Sequence, residues 1–179
     1  MPEIEIRPAI ATDIPHLMAL EHDYTSNYVW QMELHEENEQ ISVLFRETRL
    51  PRSVQVVYPR NPQKLADEWT NRSVMLVAVL DDETIGYIGL IQNMTPLTTW
   101  VIDLVVGRKL RRQGIASALL LAAQEWASDH QSRRLIIEIQ PKNHAAIRLA
   151  QKLGFDFCGY NDHFFANHDI ALFFDKWLR

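Results

Sequence analysis

The stretch WVIDLVVGRKLRRQGIASALLLAAQEW, Trp100 to Trp126, carries three kinds of chemistry in a single run. Trp100 to Val106 is β-rich and almost wholly apolar, the composition of a strand buried on both faces. Further on, Ile115, Leu119, Ala122 and Trp126 recur at helical spacing, which predicts a helix with that stripe turned inward. Between them lie Arg108, Lys109, Arg111 and Arg112, then Gln113-Gly114-Ile115-Ala116-Ser117. A buried strand that turns through a basic, glycine-containing loop into a helix forms an anion trap. The first helical N–H groups have no acceptors within the helix, and its dipole favours negative charge there. Gly114 lets a ligand reach backbone that a side chain would screen. The run therefore reads as a pyrophosphate cradle built on the N–H groups of Arg112 to Ser117, although a solvated basic loop has the same composition. A P-loop is excluded, because Gly114 is followed by Ile115-Ala116 rather than Lys-Ser/Thr. A dinucleotide fingerprint needs three glycines, and this loop has Gly114 alone after the strand's Gly107.

Arg111-Arg112-Gln113-Gly114-Ile115-Ala116 resembles the R/Q-x-x-G-x-G/A signature of the GNAT superfamily of N-acetyltransferases. The strand IDLVV precedes it, and NHAAIRLAQKLGF, Asn143 to Phe155, resembles the family's second motif on the coenzyme side. The resemblance spans Trp100 to about Tyr160. It implies an α+β fold, with a mixed, mostly antiparallel central sheet flanked by helices, in one domain over residues 1–179. It also implies acetyl-CoA as co-substrate, held by Leu104, Val105, Val106, Arg111, Arg112, Gln113, Gly114, Ile115, Ala116, Ser117 and Asn143.

The background is that of an ordinary globular chain. Its 179 residues are enough for one domain with a sizeable core. A net charge of −5 argues against a general nucleic-acid binder, whose affinity comes from neutralising phosphates. One cysteine, Cys158, excludes an internal disulfide and a cysteine-rich zinc site. The seven histidines show no metal-ligand spacing, so no metal is expected. No signal peptide and no apolar run of transmembrane length is evident, which favours a cytoplasmic protein without membrane contact. Oligomeric state is open, a homodimer included.

In chain order, Glu3 to Arg7 alternates as a strand, and a helix is expected from Asp13 as N-cap, with Leu17, Met18 and Leu20 toward the core. His22 to Glu39 reads as a second helix with an acidic face. Gln40 to Tyr58 is β-rich but broken by Pro51, and Asn61 to Trp69 is a short helix capped by Asn61. Ser73–Leu80 and Ile85–Met94 form a hairpin, and Arg134–Gln140 is the strand after the cradle helix. Asn143 caps a helix with Ala146, Leu149 and Leu153 inward, ending at Gly154, and two strands, Phe155–Tyr160 and Asp169–Trp177, close the chain.

Acetylating an amine at neutral pH requires removal of a proton whose pKa is about 10.4, a task for a nearby carboxylate. Two carboxylates interrupt apolar strands: Asp103 in VIDLVV and Glu138 in IIEIQ. Each is costly there unless it is paired with an arginine or faces a cleft. The resemblance implies a base at either position, Asp103 as in small-molecule acetyltransferases or Glu138 as in protein N-terminal acetyltransferases. The family's tyrosine acid does not carry over, since its positions hold Ala150 and Phe164-Phe165; Tyr160 is the nearest phenol. The tail CGYNDHFFANHDIALFF resembles streptothricin-type acetyltransferases, which favours a small-molecule amine over a peptide acceptor. A protein N-terminal or lysine acetyltransferase, or a non-catalytic acyl-CoA-binding module, are the alternatives.

Overall fold

The computed structural model describes residues 3–179. A seven-stranded sheet carries the fold, formed by β1 (Glu5–Pro8), β4 (Val74–Leu80), β5 (Glu83–Gln92), β6 (Thr98–Val106), β7 (Arg134–Ile139), β8 (Asp156–Asn161) and β9 (Ala171–Trp177). Its order is β1-β4-β5-β6-β7-β9-β8, antiparallel except where β7 lies parallel to β6. Parallel strands need a crossover, and α3 (Ile115–Asp129) supplies it. The expected mixed, mostly antiparallel sheet with flanking helices is present, and the fold class is α+β.

The β6–β7 pairing is short. Only Thr98–Val101 and Arg134–Ile137 are in register; beyond them the strands part, β6 continuing on β5 and β7 on β9. An irregularity on β6 between Val101 and Asp103, opposite Gly89 and Leu90, coincides with the parting. The resulting slot lies between Ile102–Leu104 and Ile137–Ile139.

The core lies mainly where α3 and α4 (His144–Lys152) pack on the sheet. The inward stripe of α3 is Ile115, Leu119, Leu120, Ala123 and Ala127, so the expected stripe is correct at its start and turned by one residue later. Small alanines at 123 and 127 let the helix approach the strands. Trp126, too large for that seat, stands at the rim stacked on His130 at 3.9 Å. On α4, Ile147 and Ala150 are fully buried, and the expected Ala146, Leu149 and Leu153 flank them. Asn143 caps α4 as read, its Oδ1 accepting the Ala146 N–H at 3.2 Å. α1 (Ile14–Met18) begins after Asp13, but the Asp13 carboxylate does not cap it. It takes the Arg7 guanidinium at 2.7 and 2.9 Å and the Ile10 N–H at 2.8 Å, tying β1 to the turn.

Residues 22–39 are not a helix. β2 (Tyr24–Glu37) pairs with β3 (Gln40–Val56) as a long two-stranded ribbon. Tyr28, Trp30, Met32 and Leu34 alternate at period two, and their aromatic and β-favouring neighbours prevail over the polar residues that suggested a helix. Nor does Pro51 end β3. The register jumps from Ser26↔Val54 to Tyr28↔Arg49, so Pro51 sits in an unpaired irregularity where its missing N–H costs no ladder bond. Asn61 caps the next turn, its Oδ1 accepting the Gln63 N–H at 3.0 Å. That segment is a 3-10 turn running into the single α-turn of α2 (Leu65–Glu68).

Candidate active site

The cradle forms at the start of α3. Gly114 adopts φ +86°, a left-handed geometry that costs glycine little, and the first helical bond runs from the Ala118 N–H to the Gly114 carbonyl at 3.0 Å. The N–H groups from Arg112 to Ser117 have no acceptor among the described residues. A side chain at 114 would meet no protein atom within 4 Å, so the approach to these donors is open. A row of unpaired donors at a helix start, reachable past a glycine, fits the pyrophosphate of a coenzyme A.

The four cations of the loop divide the work. Arg111 is committed to carbonyls: Nε donates to Val106 at 2.9 Å, Nη1 to Asp23 at 3.0 Å, and Nη2 to Glu21. It ties the entrance of β2 to the end of β6. Arg108 pairs with Glu21 at 2.9 Å. Lys109 and Arg112 make no ion pair among the described residues, and Arg112 is exposed beside Gly114. The free positive charge at the cradle is theirs.

Leu104, Val105 and Val106 form the β6 wall below the cradle, with Leu104 on the slot itself. Asn143 lines the slot's far side with Ala146, Ile139 and Gln140. Next to the slot opens a pocket of about 530 Å³, within the range of small-molecule sites. Tyr58, Pro59, Ile102, Asp103 and Phe165 border both cavities.

Asp103 stands at that junction and Glu138 on the slot alone, and the two strand carboxylates differ in what holds them. Asp103, 3% exposed, has both oxygens occupied. Oδ1 accepts the Tyr58 hydroxyl; Oδ2 accepts Arg72 Nε at 3.1 Å and Nη2 at 2.9 Å. On β5, Gly89 stands opposite the pair; a Cβ there would lie 3.0 Å from Oδ2 and 3.1 Å from Arg72 Nε, so a side chain would push the pair aside by a few tenths of an ångström. Glu138 accepts Arg60 Nη2 on Oε1, and Oε2 takes no hydrogen bond among the described residues. Arg60 also donates Nε to the carbonyl of Ile102, a group freed where β6 leaves β7, and its guanidinium lies 5.8 Å from the Phe165 ring.

Burial pushes the Tyr58 phenol well above its ordinary pKa, and negative Asp103 adds to the shift, so the hydroxyl keeps its proton. Burial likewise raises Tyr87, whose hydroxyl lies 3.0 Å from His22 Nε2. His22 Nδ1 is 2.7 Å from the Leu20 carbonyl, which can only accept, so the hydrogen is on Nδ1 and Nε2 accepts from Tyr87. Burial lowers the pKa of His22 and keeps the ring neutral.

Sequence reading missed Tyr58, Arg60, Arg72, Tyr87 and His22. The available signal was the need itself: two buried carboxylates require cations. Nothing in the spacing says that these arrive from the exit of β3 and from the turn that leads into β4. Ala150 is fully buried in the core, and Phe165 borders both cavities while Phe164 lines the larger, so neither position offers an acid. Tyr160 packs edge-on against Phe45 at 5.2 Å. Among the described residues, no group of three or more His, Cys, Asp or Glu is placed to share a metal ion, and no helix is long and apolar enough to cross a membrane.

Slot, cradle and adjoining pocket together fit a long phosphate-bearing ligand beside a smaller one. The signature of the acetyltransferase (GNAT) family matches residues 20–155, and the chain belongs to that family of acetyl-CoA-dependent enzymes. Among solved structures it is similar to a nourseothricin acetyltransferase, with 21% identity over 98% of this chain and 99% of that one, at a TM-score of 0.81. A protein of Bacillus anthracis assigned as a streptothricin acetyltransferase, solved with acetyl coenzyme A, is 21% identical over 98% and 100% of the chains, at a TM-score of 0.77. A ribosomal-protein-alanine N-acetyltransferase from Brucella melitensis is 22% identical over 97% and 99%, at 0.64. Among curated protein sequences none matches.

Proposed function

We propose that the protein transfers an acetyl group from acetyl-CoA directly to a primary amine of a small molecule, with Glu138 as the proton acceptor. The observation that carries this reading is that Glu138, on the slot, keeps an oxygen free of hydrogen bonds, whereas Asp103, where the slot meets the larger pocket, has both oxygens taken. The N–H row of Arg112–Ser117, with Arg112 and Lys109, binds the pyrophosphate; the slot between β6 and β7, walled by Leu104 and closed by Asn143, takes the pantetheine arm. The thioester then lies near Ile102 and Asp103, facing the pocket that holds the amine.

The amine nitrogen attacks the thioester carbonyl, a C–N bond forms, the C–S bond breaks, and coenzyme A leaves as its thiolate. The proton lost by nitrogen passes to Glu138 Oε2. Asp103 is less suited to that step, because both its oxygens already accept hydrogen bonds from Tyr58 and Arg72. Its part is to hold Arg72 and Tyr58 at the junction. Arg60 pairs with Glu138 and aims its carboxylate. A thiolate of coenzyme A is a good leaving group, so the sequence's lack of a family acid does not bar turnover. The small acceptor is favoured by the pocket's volume and by the two structural neighbours named for nourseothricin and streptothricin.

The test is an amine panel with acetyl-CoA, read by mass spectrometry for the gain of one acetyl group. Glu138→Gln should leave coenzyme A affinity intact and lower kcat by about 10²–10⁴-fold, with the loss shrinking at high pH where the amine deprotonates unaided. A Gln variant with full turnover at neutral pH would return the base to Asp103 or to water.

A further inference from the structure

The loop from Asp162 to Asp169, between β8 and β9, carries Phe164 and Phe165 onto the larger cavity. Its shape is not one the backbone takes unaided. His163 and His168 keep φ at +53° and +67°, a left-handed geometry uncommon for residues other than glycine, and both are exposed. The fastening is Asp169. Its carbonyl accepts the N–H groups of Phe164 and Phe165 at 3.0 and 3.2 Å, so the place of Asp169 sets the place of both rings. Its carboxylate is held in turn by Gln140, whose Nε2 donates to Oδ2 at 2.8 Å, and by Asn167 of the loop itself at 3.0 Å. Gln140 is the first residue past β7 and is buried. From the other side, Tyr24 of β2 donates its hydroxyl to Gln140 Oε1 at 2.7 Å. Burial, and then the charge of Asp169, push the Tyr24 phenol above its ordinary pKa, so it keeps its proton. The amide therefore has one way round, since turning it over would set its carbonyl against the Asp169 carboxylate.

We propose that Gln140 is a positioning residue for the acceptor: through Asp169 it holds the 162–169 loop in the place where Phe165 walls the larger cavity beside Arg60. This rests on the reading that the larger cavity takes the amine. A buried amide is costly unless every end of it is satisfied, and here the partners come from two distant segments, β2 and the loop. What the loop carries gives that arrangement its consequence. Phe165 is buried and borders both cavities, and its ring lies 5.8 Å from the guanidinium of Arg60, the partner of Glu138. A loop that swings out takes a wall from the cavity and a neighbour from the arginine that aims the base. The backbone of Gln140 is fixed separately, its carbonyl accepting the Asn143 N–H at 3.0 Å, so a changed side chain leaves the α4 cap in place. Amine affinity then follows the fraction of molecules with the loop seated, because an apparent dissociation constant is the intrinsic one divided by that fraction.

Gln140→Glu keeps the shape of the side chain and the bond from Tyr24, but sets a carboxylate against that of Asp169. The KM for the amine should rise about tenfold, as expected for the loss of one hydrogen bond to a charged group, with kcat at saturating amine largely kept. Coenzyme A affinity, read by calorimetry, should be retained, whereas a merely loosened fold would lower it too. The pair Gln140→Glu with Asp169→Asn puts a donor opposite an acceptor again and should recover most of the lost KM. Should Gln140→Glu not fold, Asp169→Ala cuts the same bond from the loop side and should raise KM alike. Hydrogen exchange reads the loop without any turnover: the amides of Phe164 and Phe165 should lose protection in both single variants. Unchanged protection overturns the fastening, whatever the activity. Lost protection with an unchanged KM overturns its role toward the acceptor, as does a double variant no better than Gln140→Glu. A wild-type chain that acetylates no amine, with protection lost in the variants, would uphold the fastening and refute the amine reading on which its purpose rests.

Discussion

At the scale of single residues, the most consequential contact is the one that occupies Asp103. A carboxylate 3% exposed, facing an Arg72 side chain only 9% exposed, is a buried ion pair, and removing one partner strands the other. Asp103→Asn should therefore act first on stability, lowering it by about 3–5 kcal/mol, the usual cost of breaking such a pair. Glu138→Gln should cost far less, because its partner Arg60 is one-third exposed and can turn to solvent. Paired denaturant titrations of the two variants check this. If Asp103→Asn unfolds at the wild-type midpoint, Asp103 is not the anchor of the junction, and its claim to be the base revives. The two carboxylates looked equivalent in sequence because each interrupts an apolar strand. What separates them is hydrogen-bond saturation, which depends on groups more than thirty residues away in the chain: Tyr58 and Arg72 for Asp103, Arg60 for Glu138.

At the scale of elements, legibility followed locality. The strand β6, the turn at Gly114, α3, β7 and the capped α4 were readable because period, cap and glycine are local signals, and they build the cradle and the slot. The acceptor side was not, because the ribbon β2–β3 owes its form to a partner strand up to 32 residues distant, from Tyr24 to Val56, and to packing on α4 and β8. Its polar, acidic outer half outweighed the alternation that marks a strand. The cradle offers a clean test of the local signals. Asparagine tolerates left-handed geometry at modest cost. Gly114→Asn thus keeps φ near +86° while placing a side chain in the open space above the N–H row. Hydrogen bonds to charged groups contribute about 1.5–3 kcal/mol each. Losing one should lower coenzyme A affinity by about tenfold or more, measured by calorimetry, with the unfolding midpoint nearly unchanged. Undiminished affinity in a folded Asn variant would mean that the pyrophosphate lies elsewhere.

At the scale of the whole molecule, α1, the start of β2, β5 and the site are joined through one neutral imidazole. His22 donates to the Leu20 carbonyl after α1 and accepts from Tyr87 of β5, with its ring 5.1 Å from that of Tyr58. Protonation would place a second N–H against the Tyr87 hydroxyl in a buried setting, and burial lowers the folded-state pKa accordingly. In the unfolded chain a histidine titrates at about 6.5. Between that value and the lower folded one, the unfolded state binds more protons, so stability rises with pH there and is lost as pH falls. Asp13 adds a second acid step. Hydrogen bonds from Arg7 hold its pKa below the ordinary carboxylate value, so its contribution is complete above the unfolded pKa of about 3.9 and is lost as pH falls below that. Unfolding midpoints measured against pH should thus be flat between about 7 and 8, decline from about 6.5 downward, and steepen again below about 4; above about 8.5, where unfolded cysteine and then tyrosine ionise while Cys158, Tyr58 and Tyr87 in the folded chain resist, they should fall again. His22→Gln keeps a donor and an acceptor but cannot titrate, so it should remove the first acid decline and leave the second. Parallel curves for wild type and variant between neutrality and the carboxylate range would show that His22 is not buried neutral, and that the first acid step comes from another group.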